Sequence, residues 1–211
     1  MMKHLLILSF LFLHITTGYS QQSDLQRNGV LKGTVTANGK IIPALFSVWR
    51  MREGESYGYV RIGSDTYGQP AIDTTTVGTI VIPEEITGPD GRRYHVKAIA
   101  RQAFAHCRHI TEVVIHNRLT HIGDQAFLGC ESLTHLSLPA STEVIYPCAF
   151  RDCPKLNVIQ VNCHRLPDVY SDIFDRHTME HGTLFIPYGT SALYSDSQVW
   201  GLFRHRFELV E

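Results

Sequence analysis

Between Ile99 and Val161 the apolar positions fall into fixed columns. One unit, "LTHIGDQAFLGCESLTHLSLP", has apolar residues at Ile122, Phe127, Leu133, Leu136 and Leu138. The unit before it supplies Ile99, Phe104, Ile110, Val113 and Ile115, and the unit after it Ile145, Phe150, Leu156, Ile159 and Val161. The Ala-Phe pair stands at 103–104, 126–127 and 149–150, a period of 23 residues. A fixed period of this length predicts a solenoid, because one coil cannot bury its own apolar face and must stack on its neighbours. A β-sandwich also uses short alternating strands, but nothing in it would hold Phe, Cys and Leu columns in register.

Within a unit, Leu133-x-x-Leu136-x-Leu138 sets Leu136 and Leu138 on one face of a short strand, since side chains alternate along a strand. The Ala-Phe-x-x-Cys segment is too short for an ordinary helix and suits one helical or 3₁₀ turn that drops Phe127 into the interior. The expected fold class is α/β and β-rich: a solenoid of about 23-residue coils, each a short strand plus a short turn, closed by a cap at either end.

The flanks suit this scheme. "TIVIPEEITGPDGRRYHVKAI" predicts a strand ending at Ile82-Pro83, a turn at Pro89-Asp90-Gly91 and a second run into Ile99. Upstream, Asn38-Gly39 between alternating runs is a strong hairpin signal, and "ALFSVWRM" and "YGYVRIG" read as two more strands. Residues 21–76 are therefore expected to form a β-hairpin cap region, about fifty residues being a meagre core for an independent domain. Downstream, a degenerate unit runs through Leu166, Ile173 and Phe174. A strand at Leu184 to Ile186, a short helix around Ser191 to Tyr194 and the aromatics Trp200, Phe203 and Phe207 then form the expected C-terminal cap, about 183–211.

The run Ile122-Gly123-Asp124-Gln125-Ala126-Phe127-Leu128-Gly129-Cys130, continuing to Leu138-Pro139, resembles the BspA-type leucine-rich repeat. The resemblance extends over about residues 77–211. Two units depart from it, with Ala100-Arg101-Gln102 in the first and Tyr146-Pro147-Cys148 in the third where Gly-Asp-x is usual. Such repeats are common in exported proteins of Bacteroidetes and are associated with adhesion to host proteins and neighbouring cells. The resemblance thus implies a non-catalytic, adhesin-like protein that binds a protein or glycan on a host or neighbouring-cell surface.

Lys3, the apolar run from Leu5 to Ile15 and the closing Gly18-Tyr19-Ser20 have the grammar of a secretory signal peptide over residues 1–20, with cleavage expected after Ser20. No second stretch is long and apolar enough to span a bilayer, so the expected location is secreted, cell-surface or periplasmic. The formal net charge is -1, which supplies no basic field for a nucleic-acid partner.

Cys107, Cys130 and Cys153 occupy one column, which favours buried free thiols packed as small hydrophobes over a framework of bridges. Cys148 and Cys163 lie off that column, and a bridge between them stays open at this stage. Twelve histidines make metal binding worth testing. "HTMEH" at His177 to His181 matches an H-x-x-E-H metalloprotease pattern, with Glu180 as the base. Gly182 interrupts it at once, however, and little chain follows to supply a third ligand and a cleft. His106 and His109 beside Cys107 read as loop histidines at variable positions of the unit. No Ser nucleophile elbow, phosphate-cradling loop or dinucleotide fingerprint is present. The expectation is no catalytic residue, no metal and no cofactor; a zinc-dependent site on the histidines and a structural assembly subunit are the alternatives.

With Val113, Leu136 and Ile159 turned inward, the outward positions form two rows: Glu112, His135 and Val158, and Val114, Ser137 and Gln160. Val81 and Phe185 extend the second row. These six residues are the candidate ligand-binding face, since repeat proteins hold partners on such ladders.

Overall fold

A computed structural model describes residues 30–51, 57–64, 66–170 and 172–210; the proposed leader lies outside the described residues. Strands β1 (Val30–Ala37) and β2 (Lys40–Met51) form the foreseen hairpin. Asn38 and Gly39 both take positive φ, 47° and 74°, as a two-residue turn matched to strand twist requires. The segments read as separate strands on either side of Pro43 are one continuous strand. Proline is tolerated there because β3 (Tyr57–Ile62) pairs with β2 only from Phe46 onward, so no ladder bond is lost on that side of Pro43.

Each of the first four coils contributes two strands, and the last two contribute one. One ladder is parallel throughout: β4 (Gly78–Val81), β7 (Ile110–Val114), β9 (His135–Leu138), β11 (Val158–Val161), β13 (Thr183–Ile186) and β14 (His205–Glu208). The other is shorter: β6 (Arg93–Ile99), β8 (His121–Ile122), β10 (Val144–Ile145) and β12 (Asp168–Val169), with β5 (Glu85–Thr87) antiparallel to β6. The β1–β2 hairpin with β3 joins them, since β1 pairs with β4 and β3 with β6, and both ladders belong to one 14-stranded sheet. Asn38 also ties the β1–β2 turn to the first coil. Its side chain donates to Val77 O (2.9 Å) and accepts from Thr79 N (2.9 Å).

The Ala-Phe turns carry bonds of the 3₁₀ type, such as Ala126 N to Gly123 O, Leu128 N to Gln125 O and Cys130 N to Phe127 O. They never propagate into a helix, because the intervening N–H groups reach the next coil: Gln125 to Pro147 O, Phe127 to Ala149 O and Gly129 to Arg151 O. The alternation needs left-handed residues at two points of every coil. Gln102, Gln125 and Cys148 occupy the first, His106, Gly129 and Asp152 the second, all with φ between 55° and 71°. The sequence columns of Ala, Phe and Cys are therefore the fixed points of a turn whose backbone bonds run between coils.

Inside, Phe104, Phe127, Phe150 and Phe174 form a continuous stack with centroids 5.1, 5.3 and 5.5 Å apart. Trp200 and Phe203 close it edge-on against Phe174. The thiols of Cys130 and Cys153 each donate to a Phe carbonyl of the preceding coil, Phe104 O and Phe127 O, at 3.2 Å. All five cysteines are free. Cys148 and Cys163 do not bridge: one donates to Asp172 Oδ2, the other to Pro139 O.

Two short helices, α1 (Arg176–His181) and α2 (Ser191–Ser195), and a 3₁₀ turn at Trp200–Leu202 complete the C-terminal coils. Trp200 and Phe203 are buried, whereas Phe207 is 55% exposed because β14 continues the parallel ladder and turns it outward.

Candidate functional site

The long ladder brings all six sequence-nominated residues to one outward face. Pairing aligns Thr79, Glu112, His135, Val158, Thr183 and His205 across six strands. The second row holds Val81 paired with Val114, then Ser137, Gln160, Phe185 and Phe207 in register with one another. Between these rows Ile80, Val113, Leu136, Ile159 and Leu184 point inward and are buried, so alternation alone decides which residues meet solvent. Glu112, Val114, His135 and Ser137 are exposed, and Val158 and Gln160 are half-buried.

The face is organised as well as exposed. Gln160 donates to Asn162 Oδ1 (2.8 Å), and Asn162 donates to Leu138 O (3.0 Å) and Ser137 Oγ (3.4 Å). These bonds hold a patch of amide and hydroxyl groups in fixed orientation. On its flank, Phe185 and Phe207 lie 6.0 Å apart at 33° and give a pair of aromatic rings. Thr79 donates to Glu112 Oε2 (3.2 Å), and His135 Nδ1 meets Thr134 Oγ1 (2.8 Å). Asn162, Thr183, His205 and Phe207 were missed in the sequence reading. Phe207 joins the face only through the pairing of β14 with β13, which sets it opposite Phe185; "HRFE" has no apolar alternation of its own to signal this.

The histidine motif has different company from that expected of a zinc site. His177 and His181 do share one side of α1, with ring centroids 4.6 Å apart. Glu180, however, is held by Arg176 (2.9 Å) and Arg204 (3.5 Å), which keep its carboxylate below the usual pKa range and make it a poor base. His106 sits on Gly129, whose added Cβ would meet the imidazole at 2.7 Å, while Cys107 is buried in the core, so that cluster diverges. Among the described residues no three His, Cys, Asp or Glu side chains converge as metal ligands. No helix among them is long and apolar enough to cross a membrane.

A leucine-rich repeat protein from Bacteroides capillosus, solved by crystallography, is similar in fold at 22% identity and a TM-score of 0.50, over 72% of this chain and 97% of that one. Another from Bacteroides ovatus shares 24% identity at a TM-score of 0.46, over 70% of this chain and 37% of that one. No curated protein matches the chain. The model of the BspA type leucine rich repeat region matches residues 70–195 in six copies. That span includes every Phe-Cys turn and most of the outward ladder, and the chain belongs to the BspA type leucine-rich repeat family.

Proposed function

We propose that the protein is a non-catalytic, exported binding module that holds a protein partner across the outward face of the long ladder, in the manner of an adhesin. The observation that carries this reading is the face itself: Phe185 and Phe207 offer aromatic anchors beside the tethered Ser137–Asn162–Gln160 patch, with Glu112 and His135 alongside. Aromatic residues dominate the energetics of protein interfaces, and pre-oriented polar groups lose little freedom on binding. Residues 21–76 act in this reading as the N-terminal cap and 77–211 as the repeat domain. The leader-like residues 1–20 support a location outside the cytoplasm, at the cell surface or in the periplasm.

The test is a surface-plasmon-resonance screen of residues 21–211 against extracellular-matrix proteins, run beside a glycan array and after metal analysis of the same sample. A saturable protein hit from metal-free material, weakened at least tenfold by His135→Lys combined with Gln160→Lys, is the expected result; tenfold is about 1.4 kcal/mol. Phe207→Ala should cost about 2 kcal/mol of binding if the ring is an anchor. Binding unaffected by these substitutions, or binding only to glycans, would refute the proposed face or partner. Stoichiometric zinc lost with His177→Ala and His181→Ala would instead favour the metal-dependent alternative.

A further inference from the structure

Among the described residues, three exposed aromatics lie beside the short ladder: Trp49 on β2, and Tyr146 and Tyr170 immediately after β10 and β12. Two β-bulges shape that region. The β2–β3 register slips at Trp49, and the β3–β6 register slips at Lys97. Bulges re-aim side chains and recur beside functional sites. Here the first presents Trp49 to solvent at 38% exposure, leaning edge-on against His121 with centroids 4.8 Å apart. Tyr146, also 38% exposed and stacked on Tyr170, lines with Trp49 a cleft of about 200 Å³. The cleft floor is small: Ala98 and Ala100 from the first coil, and Gly123, whose absent Cβ would meet the backbone of Ala100 and Arg101 at 2.7 Å. The rim is polar, with Arg61, His121 and the paired Arg101 and Asp124, whose Nε and Oδ2 are 3.0 Å apart.

We propose that this cleft is a saccharide site taking one neutral pyranose ring, its C–H face against Trp49 or Tyr146 and its vicinal hydroxyls on the Arg101–Asp124 pair. The volume lies below the roughly 300–1,000 Å³ of drug-sized sites, which suits a single ring at the end of a glycan. Aromatic faces carry negative charge density that attracts the weakly positive C–H edges of a sugar, as it attracts cations. A guanidinium held against a carboxylate presents a donor and an acceptor side by side, and a vicinal diol has both complements. The same carboxylate disfavours a phosphate. Burial lowers the pKa of His121, so its imidazole is neutral at neutral pH; Thr120 Oγ1 donates to Lys97 O (3.2 Å) and accepts from His121 Nδ1 (2.8 Å), which leaves Nε2 as an acceptor. A protein hot spot would need a broader apolar surround than a cleft of about 200 Å³ offers.

This inference is independent of the long-ladder reading. Saturation-transfer NMR and tryptophan emission of residues 21–211 would be followed against the methyl glycosides of glucose, galactose, mannose, N-acetylglucosamine and fucose. Trp200 is fully buried, so an emission change reports Trp49. The expected result is saturable binding of at least one glycoside, weakened at least tenfold by Trp49→Ala and by Asp124→Asn, and unchanged by the His135→Lys, Gln160→Lys pair. Asp124→Asn is isosteric at a partly exposed position and decides the matter if Trp49→Ala does not fold. No saturable response to any of these glycosides, or binding retained in Asp124→Asn, overturns the proposal.

Discussion

If stability is a sum of nearest-neighbour interfaces, the cost of interrupting the phenylalanine stack must depend on position. Phe127 touches a ring on each side, Phe104 at 5.1 Å and Phe150 at 5.3 Å, whereas Phe104 stacks on Phe127 alone among the described rings. Each stacked pair contributes about 0.5–1.5 kcal/mol beyond buried area. Replacement by leucine keeps most of the apolar volume, so its shape cost stays below about 1.5 kcal/mol and is common to all sites. Phe127→Leu therefore loses about 1–3 kcal/mol of stacking and Phe104→Leu about half of that. The Phe104–Phe127 pair shares one stack, so the double variant should be more stable than additivity requires by about 0.5–1.5 kcal/mol. Phe104 and Phe174 are separated by two intervening rings, and their effects should add within about 0.5 kcal/mol. Urea unfolding followed by far-UV circular dichroism, at matched slopes, measures the parent, the three single variants and the two double variants. The reasoning fails if Phe127→Leu costs no more than Phe104→Leu, or if the adjacent pair is additive.

The remaining predictions concern thiols and glycines. Cys148 alone should react with Ellman's reagent in the native state, with Cys107, Cys130, Cys153 and Cys163 waiting for unfolding; early reaction of Cys130 would contradict the buried column. Burial pushes Cys107 from about 9 up to about 12, and burial with the Asp90 hydrogen bond pushes Tyr94 from 10 up to about 12. The unfolded groups lose their protons first, so these contributions are complete below pH 9 and fall as pH rises from about 9 to 12; urea midpoints that stay level to pH 11 would refute this. Gly123→Ala should cost about 2–3 kcal/mol because its Cβ would strike backbone. Gly129→Ala should cost only about 1–2 kcal/mol, for its left-handed φ of 71°, since the His106 ring can swing away; the reverse order in thermal melts would refute the packing argument.

The sequence by itself determined the repeat, its period, its buried columns and the parity of the outward rows, because each is a local consequence of side-chain spacing. Glu112, His135 and Val158 could be aligned without coordinates, as could Val114, Ser137 and Gln160, since strand alternation and a 23-residue period leave one solution. The strands at His121–Ile122 and Val144–Ile145 could not, for two residues carry no period-two signal and exist as strands only through their neighbours. Nor was it legible that Pro43 sits inside one long strand, that the hairpin welds two ladders into one sheet, or that Phe207 faces water. Trp49, Tyr146 and Asp124 lie far apart in sequence and come together only through bulges and coil stacking. Tertiary structure decided these features because each depends on which backbone edge lies beside which, and pairing between distant segments leaves no periodic trace in either.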